Sequence, residues 1–351
     1  MRGIIGAGLL FALPGALMIG QVAGCVGDDP VTSTDSGGVV VADGSTPQPD
    51  SSIPDSSIPD TSVPDTSSAD ASDARVPTCA GQPFGAPLKL DVSQIAATIG
   101  ATLWGPRVAG ANAVFAAVPA GSNEQQIFRA TYTPGAPGTP GTPPALSNAA
   151  VLAPPSSTSV VEWAPTIAAD NSFLVLVVGF PLPRNLALSV STGGGAFGAA
   201  TPIAALNTAT DETDPYLVGR PAKALYFGRE SATGAMEIHR SAVTGGASPQ
   251  FAAPIRASLA CPMANCGTPV VPTNEGLLLF GTWAAGGFDP TVREAVLSVG
   301  GGAVSTSGIV DHPELGAHYP SWISDDGCEV LLGGGGISQA ADVAYARRAP
   351  K

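Results

Sequence analysis

The sequence predicts an all-β fold, a closed ring of about five four-stranded sheets, on three observations. Breakers are dense: 44 Gly and 34 Pro among 351 residues, with only 12% charged, exclude a coiled coil or helical bundle. A proline-centred pattern occurs five times, with Pro106, Pro165, Pro215, Pro269 and Pro320 spaced 59, 50, 54 and 51 residues apart. Each copy then holds an apolar run followed by a segment of alternating polarity, the signatures of a strand covered on both faces and of a half-exposed one. A repeat of that length, filled by short strands, is one blade of a β-propeller. The hydrophobic content of 44% suffices for one sizeable core.

The innermost strand of each blade is placed on the proline: Gly105-Pro106-Arg107-Val108, Ala164-Pro165-Thr166-Ile167, Asp214-Pro215-Tyr216-Leu217, Thr268-Pro269-Val270-Val271 and Tyr319-Pro320-Ser321-Trp322. The second strand is the apolar run, as in Phe173-Leu174-Val175-Leu176 and Leu277-Leu278-Leu279-Phe280. The third alternates, as in Gln126-Ile127-Phe128-Arg129 and Glu237-Ile238-His239-Arg240, and Asp342-Val343-Ala344-Tyr345 in the last copy. Segments at Phe84–Leu88, Phe197–Ile203 and Phe251–Ile255 carry proline, which an edge strand tolerates, and are placed outermost. The segment near Phe84 precedes the first inner strand, and the chain ends soon after the last third strand. The N-terminal strand is therefore expected to complete the fifth blade, which removes the open edge of the ring.

The last copy, Tyr319-Pro320-Ser321-Trp322-Ile323-Ser324-Asp325-Asp326-Gly327-Cys328-Glu329-Val330-Leu331-Leu332, resembles the TolB-type β-propeller repeat. The second copy keeps Ala169-Asp170-Asn171 and the third Glu212-Thr213-Asp214-Pro215. The resemblance implies a structural role for the Asp-Gly turn, since glycine takes positive φ and aspartate bonds the backbone. TolB has six blades, so a sixth, divergent blade between Arg129 and Val160 stays open.

Residues 1–24 read as a signal peptide: a basic start at Arg2, an uncharged run from Gly3 to Gly20, then small residues. Val22-Ala23-Gly24-Cys25 resembles the lipobox of bacterial lipoproteins, which implies a lipid on Cys25 and attachment to the membrane. Val26 after the cysteine points to the outer membrane. Residues 25–78 form a linker with no aromatic residue and a Ser/Thr-rich pentad repeat ending in Pro-Asp. Such a stretch cannot bury enough apolar surface to order itself. Its roughly 50 residues at ~3.1 Å each reach at most about 160 Å. The propeller domain is assigned to 79–351.

Most of the net charge of −13 belongs to the linker; residues 79–351 carry 18 acidic and 13 basic residues. Neither balance suits nucleic acid. In an oxidising compartment, Cys79, Cys261, Cys266 and Cys328 are expected to pair. Four cysteines allow three connectivities: Cys261 with Cys266 would close a small loop, leaving Cys79 and Cys328 to staple the ring, and a zinc site of four thiolates is the alternative. No catalytic constellation and no cofactor or metal site is expected. His239 is read as a surface position, and His312 and His318, with Asp311 and Glu314, as part of a solvated loop. The candidate ligand face is Glu162, Trp163, Asp211, Glu212, Asp214, Glu314 and His318, near the starts of the inner strands. The four tryptophans are read as core packing, with a sugar- or peptide-stacking platform as the functional alternative. The expected function is a non-catalytic, lipid-anchored envelope scaffold that binds a protein or a peptidoglycan-associated partner. The alternative is a propeller that binds or cleaves a glycan.

Overall fold

The structure, a computed structural model, describes residues 76–122, 124–136, 142–156, 162–179, 183–287, 289–333 and 343–350. The signal peptide, Cys25, the pentads and Asp342 lie outside the described residues. Those described belong to one compact unit, Thr66–Lys351.

The first strand is β1 (Leu88–Lys89), and β2 (Ile99–Ala109), β3 (Asn112–Pro119), β4 (Gln126–Thr133) and β5 (Ala145–Val151) make the first sheet in that order. The second holds β6 (Glu162–Ile167), β7 (Phe173–Val178) and β8 (Asn185–Gly193), with β9 (Ala196–Phe197) and β10 (Thr201–Pro202) on the outer side of β8. The third holds β11 (Glu212–Val218), β12 (Ala224–Glu230) and β13 (Met236–Thr244), edged by β14 (Gln250–Phe251) and β15 (Ile255–Arg256). The fourth is β16 (Asn265–Val270), β17 (Leu277–Trp283), β18 (Thr291–Gly300) and β19 (Ala303–Asp311). After a one-turn 3-10 helix at Pro313–Leu315, β20 (Tyr319–Ile323), β21 (Glu329–Gly333) and β22 (Ala344–Arg347) form the fifth.

Five antiparallel sheets whose first strands touch in a cycle make a five-bladed propeller: β2 contacts β6, β6 contacts β11, β11 contacts β16, β16 contacts β20, and β20 returns to β2. The N-terminal strand closes the ring as expected, with Leu88 opposite Tyr345 and Lys89 opposite Ala344. The stretch that had left a sixth blade open instead supplies β5, which pairs with β4 from Phe128–Val151 to Thr133–Ala145.

The core lies between blades. Five successive residues of β7 are buried, as are the first six of β17, because each middle strand has a neighbouring blade on both faces. Strands β13 and β18 alternate, one face packed and the other wetter. Carboxylates tie the wedges together. Glu275 accepts from Tyr226 Oη at 2.7 Å and from Arg240 Nε at 2.8 Å, joining the third and fourth sheets.

Both disulfides form in the expected pairing, Cys79–Cys328 and Cys261–Cys266, with Cα atoms 5.1 and 5.9 Å apart. Two disulfides suit an oxidising compartment outside the cytoplasm. The first staples the incoming segment to the fifth blade, and a buried polar clasp reinforces it. Glu294 accepts from Arg348 and from the Gly81 backbone, while Arg348 lies 4.4 Å over the Phe84 ring.

Two histidine readings are corrected here. His312 is 1% exposed rather than solvated, its Nδ1 2.9 Å from Glu314 and its Nε2 3.4 Å from Glu294. The N-terminal segment, which no local pattern places there, covers it: Phe84 packs edge-on at 5.1 Å. His239 is mostly buried rather than a surface residue. It stacks on Phe227, and burial together with Arg229 and Arg256 lowers its pKa to about 4.

Candidate functional site

Where the five inner strands converge at one end of the axis, each carries the same irregularity. Register breaks fall at Trp104/Arg107, Trp163/Thr166, Thr213/Tyr216, Gly267/Val270 and Pro320/Trp322, a bulge around every repeat proline. In four of the five, the residue before the proline has positive φ: Gly105 at 51°, Ala164 at 44°, Asp214 at 51° and Thr268 at 50°. Only glycine takes that conformation freely, and a following proline disfavours helical conformations further. The bulges re-aim the strand at the axis, as bulges beside binding sites do.

The result is a funnel of about 620 Å³. The bulge residues form its wall, and Trp104, Trp163, Trp283 and Tyr319 are its half-buried aromatic lining. Trp163 is steadied by the Arg184 guanidinium, 5.2 Å from its ring. Arg184 is in turn held by Asp211, which accepts from its Nε at 2.6 Å and from its backbone N at 2.9 Å. Trp283 meets Tyr319 edge to face at 5.8 Å. It also lies so close over Gly267 that a Cβ there would sit 2.7 Å from its Cη2, so glycine is the seat of this indole.

Arg107 and Ser321 also line the funnel, and both are almost entirely buried, at 4% and 2% exposure. The Arg107 guanidinium stacks 5.1 Å over the Tyr216 ring. Burial pulls its pKa below the ordinary arginine value, with Asp214 and Tyr216 acting the other way.

Of the seven residues singled out from sequence, Trp163, Asp211 and Asp214 line this funnel and the other four do not. Glu162 is buried in β6 opposite Val178. Glu212 is fully buried, bonded by Thr208 Oγ1 at 2.7 Å and Arg229 Nε at 3.1 Å. Glu314 accepts from the Phe84 backbone at 2.9 Å, and His318 Nδ1 donates to the Leu315 carbonyl at 2.6 Å. Core packing describes Trp322, which sits between two clusters of the core, and in part Trp104 and Trp163, which pack against core clusters on one side and line the funnel on the other; Trp283 lines the funnel alone. Arg107, Trp283, Tyr319 and Ser321 were not among the seven. The sequence marked three of them only as neighbours of a repeat proline. No group of three or more metal-ligating side chains occurs among the described residues.

Fold and site together define a class: a five-bladed propeller with an aromatic funnel on its axis. No protein-family model matches the chain, and no curated protein matches it. Among solved structures it is similar to a thermostable family-43 glycoside hydrolase, 13% identical with a TM-score of 0.46, over 70% of this chain and 88% of that one. The catalytic domain of the Coprinopsis cinerea GH62 α-L-arabinofuranosidase is similar at 13% identity and a TM-score of 0.47, over 78% and 98%. TolB from Acinetobacter baumannii is similar at 11% identity and a TM-score of 0.40, over 77% of this chain and 55% of that one.

Proposed function

We propose that this protein is a non-catalytic binding module of the bacterial cell envelope, anchored by lipid on Cys25 and held off the outer membrane by its acidic linker, that receives a saccharide in the axial funnel. One observation carries the reading: three of the four tryptophans stand half-buried around a single opening. The C–H faces of a sugar ring stack on indole, and a funnel of about 620 Å³ has the size of a small-ligand site. Glycoside cleavage needs an acid and a second carboxylate flanking the bond. Of the wall carboxylates Asp211, Asp214 and Glu230, the first is bound up with Arg184, which leaves two, and the release of reducing sugar tests whether they act as such a pair. The aromatic lining favours a glycan over the protein partner expected from sequence.

A glycan array followed by calorimetry tests the reading. Trp163→Ala and Trp283→Ala are each expected to weaken saccharide binding at least tenfold with the circular dichroism spectrum unchanged. Release of reducing sugar would reassign the site to hydrolysis. Capture of an envelope protein that both substitutions leave intact, with no glycan bound, would return the molecule to a scaffold.

A further inference from the structure

We propose that the saccharide carries a carboxylate, as a uronic acid does, and that Arg107 at the floor of the funnel receives it; this rests on the binding role proposed above. Two of the Arg107 nitrogens, Nε and Nη1, are buried with no hydrogen-bond partner among the described residues, and Ser321 Oγ is in the same condition. The two residues come from neighbouring inner strands, β2 and β20, and line one funnel. Arginine stays ionised in proteins. A buried cation with unmet donors lowers the stability of the free protein, a cost that its stacking on Tyr216 offsets only in part.

The remaining charges assign the rest of the ligand. Arg184 is already neutralised by Asp211. Asp214 acts on Arg107 electrostatically without an ion pair to it among the described residues. With Glu230, it remains at the wall as an acceptor for sugar hydroxyls. A ligand carboxylate on Arg107 forms charge-assisted hydrogen bonds, about twice as strong as neutral ones, which a hydroxyl would not supply. The ligand therefore has hydroxyls toward the wall, a ring face toward indole and its anionic group at the floor.

The experiment titrates the purified protein with a uronic-acid oligosaccharide, its methyl ester and a neutral oligosaccharide of the same length, with inorganic phosphate as a further arm. The wild type is expected to favour the free acid over the ester by tenfold or more. Arg107→Met should reduce that ratio to about one, while the ligand-free variant melts at or above the wild-type temperature. A purely structural arginine would give the opposite pair of results. Equal affinity for acid and ester overturns the inference and leaves the saccharide reading standing; failure of all three oligosaccharides removes both. Phosphate binding as tight as the acid would overturn the uronic assignment in favour of a free oxyanion. Should Arg107→Met not fold, the acid-to-ester ratio in wild type and in Arg107→Gln decides.

Discussion

His239 shows how much a single side chain takes from its surroundings. In isolation it would titrate near 6.5, but between Phe227, Arg229 and Arg256 its folded-state pKa falls to about 4. The folded protein therefore keeps it neutral where the unfolded chain takes up a proton. Stability should decline as pH falls from 6.5 towards 4, by at most about 3 kcal/mol from this residue. His239→Gln is expected to flatten the fall in melting temperature across that window; an unchanged slope would refute the assignment. Glu294 behaves differently. Burial alone would raise its pKa, but His312, Arg348 and the Gly81 backbone hold it below the ordinary value of 4.5, so its contribution is lost only at still lower pH.

At the scale of the element, the repeat proline is the mark of a bulge. Four inner strands carry a positive-φ residue just before it, and three of these residues have a Cβ to strain. Such backbone costs on the order of 1–3 kcal/mol per residue and concentrates at functional sites. Ala164→Gly should therefore stabilise the protein by about 1 kcal/mol in denaturant titration, the gain being partly offset by glycine's extra freedom when unfolded. A destabilised variant would mean that the alanine methyl packs more than it strains. Thr268 adds a bond that Ala164 lacks, since its Oγ1 accepts from Gly281 N at 3.2 Å.

For the whole molecule, closure is the step that unites the blades. Strand β1 offers only two residues to β22, too short an element to hold by itself. The Cys79–Cys328 bond and the Glu294–Arg348 clasp hold the same segment. In the chain-entropy account a bridge spanning 249 positions is worth about 5 kcal/mol, and one spanning 5 positions about 2. Replacing Cys79 and Cys328 by serine should accordingly lower the melting temperature more than replacing Cys261 and Cys266. Equal losses would show that the long bridge acts by something other than constraining the unfolded chain.

The architecture was legible because it is written in periods. Prolines about 50 residues apart and apolar runs such as Phe173–Val178 are local patterns, and their repetition leaves few ways to bury the runs. The weak outer strands were the exception. β5 and β19 pair along one side, with a single bridge on the other (Asp91–Ala145 and Ser258–Ser305), and most of their residues are exposed, so little imposes a pattern on them. The site was only partly legible: Trp163, Asp211 and Asp214 were found because inner-strand starts face the axis, whereas Glu212 had the same address and turned inward to Arg229. By itself, the sequence determined the propeller class and the closing strand, both consequences of spacing along the chain, while the count of five blades and the choice among cysteine pairings came with the structure. The tertiary structure alone decided that Arg107, Ser321, Trp104, Trp163 and Trp283 line one funnel, because that relation exists only once the ring has brought distant strands to one axis.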